Sequence, residues 1–282
     1  CSVSYTYHKS AGKMICHYCG KREPLPGVCP ECGSTELTTR GFGTEKIEEE
    51  IRLLFPSARV ARMDHDTTKR RNAASVILSD FAGGATDILI GTQMISKGLD
   101  FEKLTVVGIL DADSMLWFPD FRAFERSFQL IEQVSGRAGR RTHRGRVIIQ
   151  TADPSHIILR QVLKHDYKAM CRTQLEERSL FGYPPFTKII RIVIRHRNLD
   201  ELNISSARLA ESLRKHLGKY VLGPEFPAVM QVQKWYIKTV LIKMGTELSG
   251  SRVKEMIRKA MEAELKMPRQ GMLRIHADVD PQ

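Results

Sequence analysis

The chain has 282 residues, 42% hydrophobic and 27% charged, which excludes a disordered segment and leaves room for two large folded units plus a small one. No apolar run approaches the roughly 18 residues of a membrane span, and the opening CSVSYTYHKS lacks the apolar core of a secretory signal, so the sequence reads as cytosolic. Forty-four Lys and Arg against 32 Asp and Glu leave +12, which favours a polyanionic partner; residues 181–282 hold 18 and 10 of these, net +8, so the last third is the stronger candidate for it.

Four of the six cysteines form two pairs, Cys16-His-Tyr-Cys19 and Cys29-Pro-Glu-Cys32, nine residues apart. Each CxxC hairpin can point two thiolates at one metal, and four thiolates close a tetrahedral structural zinc site. Apparent structural zinc energies of about 10–16 kcal/mol suffice to order so short a segment. Paired CxxC in a chain without secretion signals argues for metal over disulfides. Cys1 stands alone by spacing, and Cys171 falls in a helical pattern, where it reads as an inert, partly buried thiol.

Helix and strand then alternate. Thr44 to Phe55 places Ile47, Ile51, Leu54 and Phe55 on one helical face, with Thr44 as N-cap. A strand near Arg59 to Met63, a helix bearing Ala74, Ile77, Leu78 and Phe81, and apolar strands Asp87 to Ile90 and Leu104 to Leu110 follow. The apolar runs read as buried parallel strands. A helix near Phe124 to Val134, a strand Arg146 to Gln150 and a helix from Pro154 continue an α/β layered sheet. Ligands gather at the carboxyl ends of strands in such sheets, which directs attention to the loops.

Two segments carry the chemistry, GTQMISKGLDF from Gly91 to Phe101 and QVSGRAGR from Gln133 to Arg140, about 40 residues apart. The first is a Gly-flexible, hydroxyl-bearing loop after a strand, suited to close backbone approach by a nucleic-acid phosphate, with Asp100 free to reach a ribose or a second lobe. The second sets Arg137 and Arg140 three apart, on one face of a helix end. Their planar, permanently charged forks suit a γ-phosphoryl transition state, and Gln133 can orient water or a neighbouring group.

Beyond residue 178 the pattern changes to α+β. Ile190, Ile192 and Ile194 alternate with Arg191 and Arg195; a long helix carries Leu202, Leu209, Leu213 and Leu217. Strands are expected at Ala228 to Tyr236, Lys238 to Met244 and Met272 to Val279, and a helix from Ser251 to Leu265. Tyr183, Trp235 and Tyr236 stand near basic residues and are candidates for base stacking.

The two loops resemble superfamily 2 helicase motifs, and the text between them, LDADSMLWFPDFRAFERSFQLIEQVSGRAGR from Leu110, resembles the PriA family of bacterial replication-restart helicases. The order of paired cysteines, GFGTEKIEEEI from Gly41, Arg62-Met-Asp-His-Asp-Thr-Thr, FGYPPF from Phe181 and Asp278-Val-Asp-Pro matches that family along essentially the whole chain. The resemblance implies a zinc-binding module at 1–39, inserted in a second RecA-like helicase lobe at 40–178, and a smaller α+β C-terminal DNA- and partner-binding domain at 179–282. It assigns Gln133, Arg137 and Arg140 to catalysis, Gly98 and Asp100 to the lobe-two side of an ATP site, and Thr92, Gln93 and Lys97 to DNA. It further implies 3′ to 5′ unwinding of DNA, forked and single-stranded DNA as ligands, and a cytoplasmic, nucleoid-associated protein. Single-stranded DNA-binding protein, other primosome proteins and the replicative helicase loader are the implied protein partners, with Arg252 as a contact for the first and no membrane.

The departures limit what the chain can do alone. No GxxxxGK[ST] phosphate loop occurs, since Ser10-Ala-Gly-Lys13 lacks the first glycine and the Ser/Thr after lysine, and no DEAH-like magnesium box is present. ATP and Mg2+ are therefore expected only with a further lobe, and the chain alone is expected not to hydrolyse ATP. The family carries four CxxC pairs and two zincs, of which Cys1 here is the surviving half of the second pair. Nested pairing would join Cys1, Cys16 and Cys19 and leave Cys29 and Cys32 short; alternatively Cys16, Cys19, Cys29 and Cys32 share one ion, and in either case about one zinc is expected. A non-enzymatic, zinc-dependent DNA-binding adaptor is the alternative function.

Overall fold

The computed structural model describes residues 1–8, 12–37, 43–64, 66–68, 72–92, 101, 104–136, 145–245, 247–267 and 272–281, residue 8 by its backbone alone. Two compact units form, one from residues 1–39 with 177–282 and the other from 40–176. The cysteine-rich segment opens with three short antiparallel strands, β1 (Thr6–His8), β2 (Lys13–Ile15) and β3 (Arg22–Pro24), in that spatial order.

The 40–176 unit contains α1 (Thr44–Leu54), β4 (Val60–Met63), α2 (Ala73–Gly83), β5 (Ile88–Gly91), β6 (Val106–Ile109), α3 (Ala112–Leu116), α4 (Ala123–Ser135), β7 (Arg146–Ile149), α5 (Ile157–Leu163) and most of α6 (Tyr167–Phe181). Its strands pair in parallel as expected, β4 with β5 and β6 with β7. Val60 and Met63, on opposite faces of β4, are both buried, but the β6–β7 pair is not covered on both faces. Ile109 and Ile149 pack on the core of Leu116, Phe128, Ile131, Ile158, Leu159, Val162 and Met170, while Val106 and Ile148 on the opposite face are 52% and 60% exposed. The helical core covers one face of the β6–β7 pair, so the apolar run Leu104 to Leu110 reflects a half-covered strand.

Ala123, Ser127, Phe128 and Ile131 are the buried residues of α4, a spacing that puts one stripe of the helix into that core and leaves Gln133 on the outer side. Thr44 is not the N-cap of α1. Gly43 holds that position, and the Thr44 hydroxyl donates to Asp64 Oδ2 at 2.6 Å. Asp64 also accepts from the N–H groups of Asp66 and Thr67. Burial pushes its carboxyl up, but these donors and the nearby Arg62 outweigh burial and hold it below the usual range. The expected face of α1 is only half realised, with Ile47 and Ile51 half-buried and Leu54 71% exposed.

The C-terminal sheet comprises β8 (Lys188–His196), β9 (Val221–Glu225), β10 (Gln231–Val232), β11 (Trp235–Met244) and β12 (Arg274–Val279), backed by α7 (Leu199–Leu217) and α8 (Gly250–Leu265). The order is β10-β11-β8-β12, all antiparallel, with β9 also on β11. Ile190, Ile192 and Ile194 of β8 and Val240, Ile242 and Met244 of β11 meet Leu202, Leu209, Leu213 and Leu217 of α7 and Val253 and Ile257 of α8. Burying each such side chain contributes about 1.5–3 kcal/mol. The start of α7 is fixed by Asn198, whose side chain accepts from Asp200 and Glu201 N–H, with acidic residues in the first turn and basic ones in the last. The break between the middle strands falls at Gln233–Lys234, not near Ile237. Both residues have positive φ, 49° and 66°, so the chain reverses in two residues and β11 runs uninterrupted from Trp235.

Candidate zinc centre and nucleic-acid interface

The two CxxC segments fold alike. Cys16 N–H donates to Lys21 O and Gly20 N–H to Cys16 O; Cys29 N–H donates to Ser34 O and Gly33 N–H to Cys29 O. Gly20 and Gly33 sit at φ 73° and 71°, the left-handed turn that lets each loop close over its own sulfurs. The N–H groups of Cys19 and Tyr18 aim at the Cys16 thiol, and those of Cys32 and Glu31 at the Cys29 thiol, lowering both below the ordinary cysteine value. Each loop is thus built to stabilise thiolates, the form that ligates metal.

The first loop gathers a third sulfur. Cys1, Cys16 and Cys19 present thiol sulfurs within 4.8 Å of one another, with Cys16 buried. Sulfurs around a tetrahedral zinc with bonds of about 2.3 Å lie about 3.8 Å apart, so this donor set fits such an ion with one position left to fill. Among the described residues, Cys29 and Cys32 join no comparable cluster. The arrangement matches the nested pairing rather than a single site shared by both loops.

The three-cysteine cluster is also tied to the C-terminal sheet. Gln233 N–H donates to Cys1 Sγ at 3.1 Å, and Gln233 Nε2 donates to Tyr18 O at 2.7 Å. Ser2 N–H donates to Gln231 O, and Gln231 N–H to Ser2 Oγ. The β10–β11 turn therefore grips the cysteine-rich segment by backbone and ligand alike. Its signal in the sequence was weak, because neither Gln233 nor Lys234 is a customary residue for a left-handed turn.

In the 40–176 unit, Thr92 is exposed just beyond the carboxyl end of β5, and Gln133 is exposed near the end of α4. Gln133 lines a shallow cleft of about 610 Å³ with Phe128, Gln129, Glu132, His165 and Tyr167. His165 Nδ1 lies 3.0 Å from both carboxylate oxygens of Glu132. Gln93, Lys97, Gly98, Asp100, Arg137 and Arg140 lie outside the described residues.

The three aromatic candidates do not form one platform. Tyr236 packs against the core between sheet and helices, whereas Trp235, its neighbour along β11, faces the other side. The Trp235 ring is taken by two guanidiniums, Arg274 at 4.3 Å and Arg197 at 5.2 Å from its centroid. Lys243 Nζ sits 3.8 Å from the Tyr183 ring, and burial lowers its pKa. Arg252 is exposed in the first turn of α8.

Three regions of the chain match known families in order. Residues 1–24 match the PriA DNA helicase Cys-rich region domain, residues 37–142 the helicase conserved C-terminal domain, and residues 179–282 the primosomal protein N C-terminal domain. Full-length coverage of the chain by replication restart protein PriA of Bacillus subtilis, at 39% identity, joins the three. The chain belongs to the PriA family. PriA of Haemophilus influenzae is 37% identical and PriA of Treponema pallidum 39%, each again over 100% of the chain. The chain spans 35%, 38% and 42% of the lengths of these three relatives. The PriA-type architecture is thus a RecA-like helicase lobe with a cysteine-rich zinc region and a PriA C-terminal domain. No helix among the described residues is long and apolar enough to cross a membrane.

Sequence reading missed Gln233 and the arginines around Trp235. Arg195 was visible only as the outward position of an alternating strand; its register against Arg274, 79 residues on, has no local signal.

Proposed function

We propose that the chain supplies the second motor lobe, a zinc module and the DNA-binding domain of an ATP-dependent 3′ to 5′ DNA helicase that recognises stalled or repaired replication forks and starts primosome assembly. The observation that carries this reading is the collinear similarity of cysteine-rich region, helicase lobe and C-terminal domain to relatives that bear the replication restart name. In this reading Gln133, Arg137 and Arg140 complete an ATP site whose phosphate cradle and Mg2+ ligands belong to another lobe. Gly98 and Asp100 face the nucleotide, and Thr92, Gln93 and Lys97 track a DNA strand. Cys1, Cys16 and Cys19 hold one structural zinc, with Cys29 and Cys32 contributing to a second site when further ligands are supplied. Single-stranded DNA-binding protein docks near Arg252, primosome proteins and the helicase loader follow, and the work is done in the bacterial cytoplasm on the nucleoid.

The test is DNA-stimulated ATP hydrolysis by the chain alone and by the chain joined to the phosphate-loop lobe of a relative. The chain alone is inert and the joined protein is active. In the joined protein Arg140→Ala lowers hydrolysis by about three orders of magnitude and leaves DNA affinity nearly intact. Turnover by the chain alone that survives repurification would overturn the two-lobe reading, and an equal loss of DNA affinity would move Arg140 to the DNA site.

A further inference from the structure

The C-terminal sheet has one face against α7 and α8 and one face turned away from them. On the outer face, Arg274 of β12 stands directly opposite Arg195 of β8, which in turn opposes Ile237 of β11. Directly opposed residues of an antiparallel pair share a face, and Trp235, two positions from Ile237, shares it too. Arg195, Arg197, Arg274 and His276 are all exposed. Like charges directly opposite one another are destabilising, so folding alone does not favour Arg195 facing Arg274. A neutral solution exists four residues along the same ladder, where Arg191 opposes Asp278 and pairs with it at 3.0 Å. Among the described residues, no carboxylate pairs with Arg195, Arg197 or Arg274.

Trp235 explains how the arginines are held. Its ring takes the guanidiniums of Arg274 and Arg197 by cation–π contact, which orients each fork without consuming its N–H donors. The indole acts as a splint for cations and has little face left for a base. His276, on the same face, is held below the ordinary histidine value first by desolvation and then by the charge of Arg195, with Arg191 adding to it and Asp278 opposing. The local potential is positive.

We infer that this outer face, with Arg195, Arg197 and Arg274 braced on Trp235, binds the phosphate backbone of a nucleic acid. The inference rests on the reading of the C-terminal domain as a DNA binder and names the surface that does it. Oriented forks make paired charge-assisted hydrogen bonds to phosphate oxygens. With the ring of Trp235 already covered by guanidiniums, the face offers no stacking platform for a base, so recognition is indifferent to sequence.

The experiment measures fluorescence anisotropy of labelled oligothymidylate and of a mixed-sequence strand of equal length with the full chain, over a range of salt. Arg195→Ala combined with Arg274→Ala weakens both strands alike, by about tenfold or more per arginine. It also makes the slope of log K against log salt shallower by about 0.7 for each charge removed. Arg258→Ala, which removes an exposed cation on α8 paired to Glu255 and Glu262, leaves the slope unchanged. A double variant that melts like the parent yet keeps the parent's affinity and slope overturns the assignment of this face. Tighter capture of polyglutamate than of oligonucleotide, lost in the same variant, makes the face a protein-docking surface and overturns it too. Failure of the parent chain to bind any strand refutes the broader DNA-binding reading instead.

Discussion

The backbone N–H of Gln233 points at the sulfur of Cys1, 3.1 Å away, so a turn of the C-terminal sheet contacts a candidate zinc ligand directly. Hydrogen bonds from backbone N–H orient metal thiolates and tune their basicity. The purified chain is expected to hold about one zinc, because three of its five module cysteines converge and a tetrahedral site needs four ligands. Cys16→Ser releases that metal and shifts the Gln233 amide resonance, while the 40–176 unit keeps its own unfolding transition. Elemental analysis and an amide spectrum check this; two tightly held equivalents, or a Gln233 amide indifferent to metal, would contradict it.

Gly223 is a second point of sensitivity. Its φ is +86°, and a Cβ there would stand 2.8 Å from Thr239 O, beside the register shift between Thr239 and Leu241 where β9 meets β11. Gly223→Ala should destabilise the C-terminal unit by about 1–3 kcal/mol, since both the backbone conformation and the neighbouring strand resist the new atom. Urea unfolding measures it. A loss below about 0.5 kcal/mol would mean that the bulge absorbs the methyl group.

Arg208 and Glu264 join α7 to α8 through two hydrogen bonds, 2.8 Å from Nε to Oε2 and 2.5 Å from the guanidinium to Oε1. Glu264 is buried at 4% exposure, whereas the Arg208 side chain is 41% exposed. Arg208→Ala should cost about 1–3 kcal/mol, less than the roughly 3–5 of a fully buried pair because water reaches the vacated side. The double change to Arg208→Leu and Glu264→Leu should recover much of that loss. If the single and double variants are equally unstable in urea, the orphaned carboxylate is not the source.

His276 supplies the pH dependence. Its proton affinity in the folded chain lies below the ordinary value of 6.5, so between that value and the folded one the unfolded chain binds more protons. Its contribution to stability is complete above pH 6.5 and is lost as pH falls through the folded value. An anion on the arginine face cancels the field of Arg195 and Arg191, which raises the His276 midpoint. An imidazole titration by NMR with and without oligonucleotide reads this directly, and identical midpoints would count against phosphate at that face.

Much of the fold was legible because its periods are local. The stripe of Leu202, Leu209, Leu213 and Leu217 and the alternation of Ile190, Ile192 and Ile194 depend only on neighbours within a turn or a pleat. The half-exposed state of Val106 and Ile148 was not legible, since an apolar run has the same letters whether one face is covered or both. Thr44 misled for a related reason: a hydroxyl at a helix start caps it unless a stronger acceptor is near, and Asp64 comes near only through the fold. For the site, the CxxC spacing located the candidate ligands, and the folded chain adds that Cys1 meets Cys16 and Cys19 while Cys29 and Cys32 join no such cluster among the described residues.

The alternation along β11 has a consequence for how this strand can vary. Tyr236, Val240, Ile242 and Met244 answer to the packed core, and Trp235, with its tie to Arg274 and Arg197, answers to whatever lies outside. Substitutions at the two sets are therefore separable: one set moves the melting temperature and the other moves affinity. Adaptation to a new polyanion can proceed at Trp235 without renegotiating the core, whereas Ile237, on the same face but buried at 8% exposure, should respond like the core set in a mutational scan of the strand.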